Sequence, residues 1–275
     1  MKKSHKIIAG SLLSFLAIFL LYKNTLIEQI NSLKNRLLFH PDRGHFLDKP
    51  SMEIDDFIVH GREMNILQCW FYSPSKKTNM ASEKIILFSH GNAGNLTYRQ
   101  TFAKKCLENK HAFLLFDYRG FGGSCGFSTI DTIVDDMEDC YKSLLNMGYK
   151  KENIIAMGES IGSFPASQLA AKFQLSKLVI LYGLHSLSET VHHLLPTISY
   201  FIRFFIQNDL RVDQNLSIFK GQTLLLHSKS DKIVSYNNAL LNLQINDRTK
   251  LIDITGGHNT HVINWSDIFS FISLP

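Results

Sequence analysis

The chain has 275 residues, 45% of them hydrophobic and 19% charged, with 29 Lys and Arg against 24 Asp and Glu for a formal net charge of +5. That is the composition of a globular protein, long enough for one large domain with a small appendage, and it argues against disorder. The basic residues are spread out, with no cationic stripe of interleaved aromatics, which argues against nucleic acid as a partner.

The N-terminus "MKKSHK" precedes an uncharged run, "IIAGSLLSFLAIFLLY", at residues 7–22. As a helix this run would be ~24 Å long, a little short of the ~30 Å hydrocarbon core. The following "LYKNTLIEQ" offers no small-x-small cleavage site. Residues 1–23 are therefore expected to form an uncleaved signal anchor, with a cleaved signal peptide as the alternative. A buried core helix fits less well, because the run is apolar on all faces. Lys2, Lys3 and Lys6 before it nearly balance Lys23, Lys34 and Arg36 after it. The tight leading cluster favours a cytoplasmic N-terminus and a main domain on the far side. Residues 24–50 read as a connector, and the main domain as residues 51–275.

The runs "IDDFIVHG" and "NILQCWFYSP" predict a hairpin around residues 61–64. From residue 84 the pattern changes. The apolar strands "KIILFSHG", "AFLLFDYRG", "NIIAMG", "KLVILYG", "TLLLHSKSD" and "KLIDITGG" alternate with segments of helical spacing. Continuous apolar strands alternating with helices predict an α/β fold, a mostly parallel sheet covered on both faces. A helical insertion is expected at about residues 183–222, opening with the cap pattern of Ser186 and Glu189, broken at Pro196, and rich in aromatics at Tyr200, Phe201, Phe204 and Phe205. Cys69, Cys106, Cys125 and Cys140 show neither a C-x-x-C pair nor metal spacing and read as free thiols, with a disulfide left open for an oxidising compartment.

In such sheets, ligands gather beyond the carboxyl ends of the strands. There the chain delivers "SHGNAGN", then "DYRG", "GESIG", "HSKSD" and "GGHN". A serine, an acid and a histidine arrive in that order, each at a strand end. The stretch "MGESIGSFPAS" carries the serine between two glycines, the G-x-S-x-G pattern of a sharp strand-to-helix turn. A glycine-punctuated loop with a capping serine would share that pattern, but not the other two strand ends.

As a set, "FSHGNAGN", "DYRGFGGSCG", "GESIGSFPA", "LLLHSKSDKIV" and "GGHN" resemble the α/β-hydrolase superfamily over about residues 50–272, and within it the Bem46-like group with its membrane-associated domain-containing types 12, 13 and 17. Two departures stand out. Ser228 replaces the glycine usual in H-G-x-x-D, and residues 183–222 carry no family signature, so the insertion says little about substrate.

The residues and the resemblance together imply these roles. Ser160 is the nucleophile, His258 the general base and Asp231 the acid that orients it. His261 competes with His258, and Asp213 with Asp231. The backbone N–H groups of Asn92 and Ile161 form an oxyanion hole. Asp117, Arg119 and Gly120 are structural. Phe201, Phe204 and Phe205 either pack on the sheet, or belong to a lid that lines an acyl pocket or touches a bilayer. The expected activity is that of a membrane-anchored serine hydrolase acting on a carboxylic ester or thioester, with a lipid or other acyl substrate in view, and with no metal and no redox cofactor. A serine peptidase of the same fold and a non-catalytic membrane scaffold are the alternatives.

Overall fold

The computed structural model describes residues 22–44, 46–75 and 78–274. The chain divides into two compact units, Met1–His40 and Pro41–Pro275. In the first, residues 22–38 form helix α1, whose side chains are mostly exposed. The expected signal anchor falls on residues 1–21, outside the described residues, apart from its last two positions. Among the described residues, no helix is long and apolar enough to cross a membrane.

In the second unit the expected hairpin forms strands β1 (Asp55–His60) and β2 (Ile66–Tyr72), with His60 opposite Ile66. Alternation then begins: β3 (Ile85–Ser89), α2 (Gln100–Glu108), β4 (Ala112–Phe116), α3 (Ile130–Asn146), β5 (Ile154–Glu159), α4 (Ser163–Phe173) and β6 (Lys177–Leu181). The insertion follows as α5 (Leu187–Leu194), α6 (Pro196–Ile206) and α7 (Val212–Ile218). The chain closes with β7 (Gln222–Ser228), α8 (Tyr236–Leu243), β8 (Thr249–Ile254) and α9 (Trp265–Ser273).

These strands make one eight-stranded sheet in the order β8-β7-β6-β5-β3-β4-β2-β1. Neighbours from β8 through β4 run parallel, and β2 and β1 add an antiparallel edge. Every residue of β3, β4 and β6 is buried, as a sheet covered on both faces requires. Strand periodicity divides the core. Phe88, Phe113, Met157 and Leu181 share one face with Phe102 of α2 and Ile268 of α9. Fully burying a side chain such as Phe113 contributes ~1.5–3 kcal/mol. On α3, Thr129 caps the first turn together with Thr132, and Gly148 just past the end takes φ +102°.

Helix α9 is tied down at its end. The Lys84 ammonium donates to the carbonyls of Ile272, Ser273 and Leu274, and that of Lys177 to Phe271, Ile272 and Leu274. Burial, with Lys84 close by, pulls the Lys177 pKa below its ordinary value. Cys69, Cys106 and Cys140 are buried free thiols, and Cys125 is an exposed one.

The chain passes from β3 outward to β4, then returns to lay β5 on the other side of β3. Strand order reverses there, and a crevice opens beyond the carboxyl ends of β3 and β5. Ser89 and Gly158 are opposite one another at that edge. The loop after β3 and the turn after β5 therefore face each other across the crevice.

Candidate active site

Strand β5 runs directly into a one-turn helix at Ser160–Gly162 and then into α4. The turn is tight enough to hold Ser160 at φ +50°, a conformation that costs a non-glycine residue ~1–3 kcal/mol. It also explains the two flanking glycines. A Cβ on Gly158 would lie 2.2 Å from the carbonyl oxygen of Gly162, and one on Gly162 would lie 2.2 Å from that of Ser89. Nothing larger than glycine fits at either place.

The Ser160 Oγ lies 3.0 Å from His258 Nε2, and His258 Nδ1 lies 2.7 Å from Asp231 Oδ2. An ionised carboxylate only accepts, so Nδ1 carries the proton and Nε2 is free to accept from the serine hydroxyl. His258 arrives on the loop after β8, beyond Gly256 at φ +93°, where a Cβ would lie 2.1 Å from the Thr260 carbonyl oxygen. Asp231 sits in the turn after β7. Its Oδ1 accepts from the N–H groups of Ile233 and Val234 at 2.9 and 3.0 Å, which leaves Oδ2 for the histidine. Burial would raise the Asp231 pKa, but the hydrogen bond from His258, the nearby His261 ring and the backbone N–H groups hold it well below the ordinary carboxylate range.

Both competitors are placed. Asp213 pairs with Arg211 and lies 3.8 Å from His185, away from His258. His261 joins the same cluster: its Nε2 is 3.5 Å from Asp231 Oδ2, and its ring stacks on Tyr182 at 3.9 Å and 7°. The donor atoms of Asp231, His258 and His261 all lie within 4.8 Å of one another, close enough to share a metal ion.

A second buried cluster, which the sequence reading missed, stands beside the serine. Glu159 Oε1 accepts from the Gly91 N–H at 2.8 Å and from Arg99 Nε at 2.8 Å, with the second Arg99 nitrogen also on that oxygen. Glu159 Oε2 accepts from the Tyr182 hydroxyl at 3.0 Å. Burial opposes the Glu159 charge, yet Arg99 and the Gly91 N–H outweigh it and hold the carboxyl below its ordinary value. One carboxylate thus fastens the glycine loop after β3 to the serine turn. The only hint in the sequence is a charged residue ending an otherwise apolar strand.

Asn92, one residue past that tie, lines the crevice with Ser160, and Ile161 follows Ser160 inside the turn, buried. Further along the sheet, Arg119 donates to Asp136 from its backbone N–H and its guanidinium, while Asp117 accepts from the Leu96 N–H. Arg119 is thus fastened to α3 through Asp136.

The crevice has a volume of about 870 Å³. Its polar floor is Ser160, His258, Glu159 and Arg99, and its apolar walls include Phe88, Phe102, Leu181, Ile263 and Trp265. Phe201, Phe204 and Phe205 are not among its lining residues and stand exposed on α6. Of the readings open for these three rings, packed on the sheet, lining an acyl pocket or touching a bilayer, the lining of this crevice is the one they do not take. Helix α6 buries only Ser199 and Ile206, and its aromatic rings face outward.

The family model for the α/β hydrolase fold matches residues 84–218. An uncharacterized protein of Acanthamoeba polyphaga mimivirus is 27% identical, over 86% of this chain and 92% of that protein. The human alpha/beta hydrolase domain-containing protein 17B is 26% identical, over 67% of this chain and 66% of its own length, so the match spans just under two thirds of that relative. Among solved structures, an esterase of Pyrococcus furiosus superposes with a TM-score of 0.65 at 18% identity, covering 85% of this chain and 93% of the esterase.

Proposed function

We propose that this chain, which the α/β hydrolase fold model matches over residues 84–218, is a serine hydrolase that cleaves a carboxylic ester or thioester. The observation that carries this reading is the hydrogen-bonded line from Ser160 Oγ through His258 to Asp231.

In the proposed mechanism, His258 Nε2 takes the hydroxyl proton as Ser160 Oγ attacks the acyl carbon. Asp231 stabilises the imidazolium and keeps its ring in register. The oxyanion of the tetrahedral intermediate is received by the backbone N–H groups of Asn92 and Ile161, with the amino end of α4 behind the serine adding favourable field. His258 then returns its proton to the departing alkoxide or thiolate, leaving an acyl-serine. Water, deprotonated by the same nitrogen, releases the acid and restores Ser160. Glu159 positions this apparatus by holding Gly91, and with it the Asn92 amide, against the serine turn.

The acyl chain of the substrate lies along Phe102, Leu181, Ile263 and Trp265. Each buried CH₂ there adds ~0.8 kcal/mol, which favours long acyl groups over acetyl. The uncharged run at residues 7–22 supports attachment to a membrane through the N-terminus. Fluorophosphonate labelling tests the chemistry. Wild type should label and Ser160→Ala should not, with ester turnover lost by up to ~10⁶-fold in the variant. Equal labelling of the two proteins would reject Ser160 as the nucleophile.

A further inference from the structure

We propose that the outer face of α6 is a membrane-docking surface that seats on an anionic lipid bilayer. It is a contact separate from the N-terminal run, and it does not depend on the chemistry at Ser160.

Helix α6 is held to the domain by little, with Ser199 and Ile206 its buried residues. Leu194, Ile198, Tyr200, Phe201, Phe204 and Phe205 are all exposed, Phe201 by 73% and Phe204 by 75%. Positions 198, 201 and 205 repeat at helical spacing and form one stripe, with Tyr200 and Phe204 alongside it. The rings pack on each other in two edge-to-face pairs, Tyr200 with Phe201 and Phe204 with Phe205, both at 5.6 Å. A contiguous apolar patch of this kind marks a contact surface.

Charge identifies the occupant. From Thr190 to Asn208 there is no Asp or Glu, while Arg203 on α6 is exposed. A second copy of the chain, meeting this one through the same face, would bring two Arg203 guanidinium groups onto a stretch with no acid to pair with them. An anionic bilayer pairs with Arg203. Phenylalanine and isoleucine on one arc beside a basic residue suit a helix lying in the interface plane, with its apolar side ~5–10 Å into the headgroup boundary. Tyrosine is enriched at that depth. The insertion leaves the sheet from the carboxyl end of β6, the edge at which Ser160 stands. Docking through α6 would therefore turn that edge toward the lipid.

The test uses the full chain on vesicles of phosphatidylcholine with a minority of phosphatidylglycerol, carrying brominated acyl chains as contact quenchers. Reporters are Phe201→Trp and, independently, Phe204→Trp, each read after subtraction of the wild-type signal from Trp70 and Trp265. Met64→Trp, at a hairpin position 95% exposed, is the remote control. The α6 reporters should shift to the blue and lose about half their emission, as expected at the headgroup boundary, while the control stays unquenched. Adding Arg203→Glu to either reporter should weaken the quenching severalfold. Reporters that stay as red and unquenched as the control would overturn the proposal. So would equal quenching on pure phosphatidylcholine, which would remove the anionic lipid. Absence of quenching together with self-association abolished by Phe204→Glu would assign the face to a protein contact instead.

Discussion

The loops around Ser160 and the helix α6 belong to one domain, and they break the usual rule of burial in opposite directions. Around the serine, charges are taken inside: Glu159 and Asp231 are buried, and Arg99 is nearly so. On α6, five large apolar side chains are left outside. Neither arrangement maximises stability, since buried charges carry a desolvation cost and exposed aromatics forgo burial. The first is held by hydrogen bonds at every carboxylate oxygen, so it withstands thermal motion but not mutation. The second is held by almost nothing, so it should tolerate mutation until its partner surface is present.

That contrast can be broken most forcefully at Asp231. Asp231→Asn should leave the protein folded near neutral pH and lower turnover by ~10⁴, whereas Asp213→Asn should barely change it. Ester hydrolysis assayed side by side decides the matter, and reversed results would move the acid to α7. Acid stability carries a second signature. The Asp231 pKa is depressed in the folded state, so its contribution is present above the ordinary carboxylate range near ~4 and fades as pH falls toward the folded value. Urea midpoints of wild type and Asp231→Asn should therefore converge as pH drops below ~4.

Glu159→Gln comes next. It leaves Arg99 buried with no opposing charge, a loss of ~3–5 kcal/mol by analogy with other broken buried pairs. Denaturant unfolding reads that loss directly. A variant within ~0.5 kcal/mol of wild type would show that the network is not under the electrostatic tension described. Trp265→Ala should act more mildly, cutting kcat/KM for long-chain esters roughly tenfold relative to acetyl, about 1.4 kcal/mol. An unchanged chain-length profile would place the acyl group elsewhere. The smallest effect is expected on α6, where Phe201→Ser with Phe204→Ser should move stability by no more than ~0.5 kcal/mol each in the absence of lipid. A large loss there would mean that these rings support the fold after all.

Much of this was legible in the sequence because it rests on local rules. The alternation of apolar strands and helical segments gave the sheet. The flanking glycines marked a turn in which Gly158 and Gly162 have no room for a side chain. The placement of Ser160, Asp231 and His258 at strand ends brought them within hydrogen-bonding distance once the strands were laid parallel. What escaped depends on how distant segments cross. Arg99, on a turn of its own, meets Glu159 only through the packing of the segment after β3, and no periodicity records that angle. For the aromatics of α6 the sequence leaves packing on the sheet, a pocket wall and a bilayer contact all open, because all three ask for the same apolar residues. Whether a helix turns its apolar stripe inward or outward is set by its neighbours, here by the few side chains that anchor it.

The fastening of α9 bears on how the chain is made. Lys84 stands just before β3 and Lys177 opens β6, yet their acceptors lie 188–190 and 94–97 residues further along. During synthesis both ammonium groups leave the ribosome long before the carbonyls they will serve, and they stay hydrated until then. The sheet can begin to assemble, but α9, and with it the Trp265 wall of the crevice, docks only after residue 274 has emerged. The wall of the crevice is thus completed after the sheet it packs on, and the apolar face that carries Phe88, Phe102 and Phe113 stays open until Ile268 and Phe269 cover it.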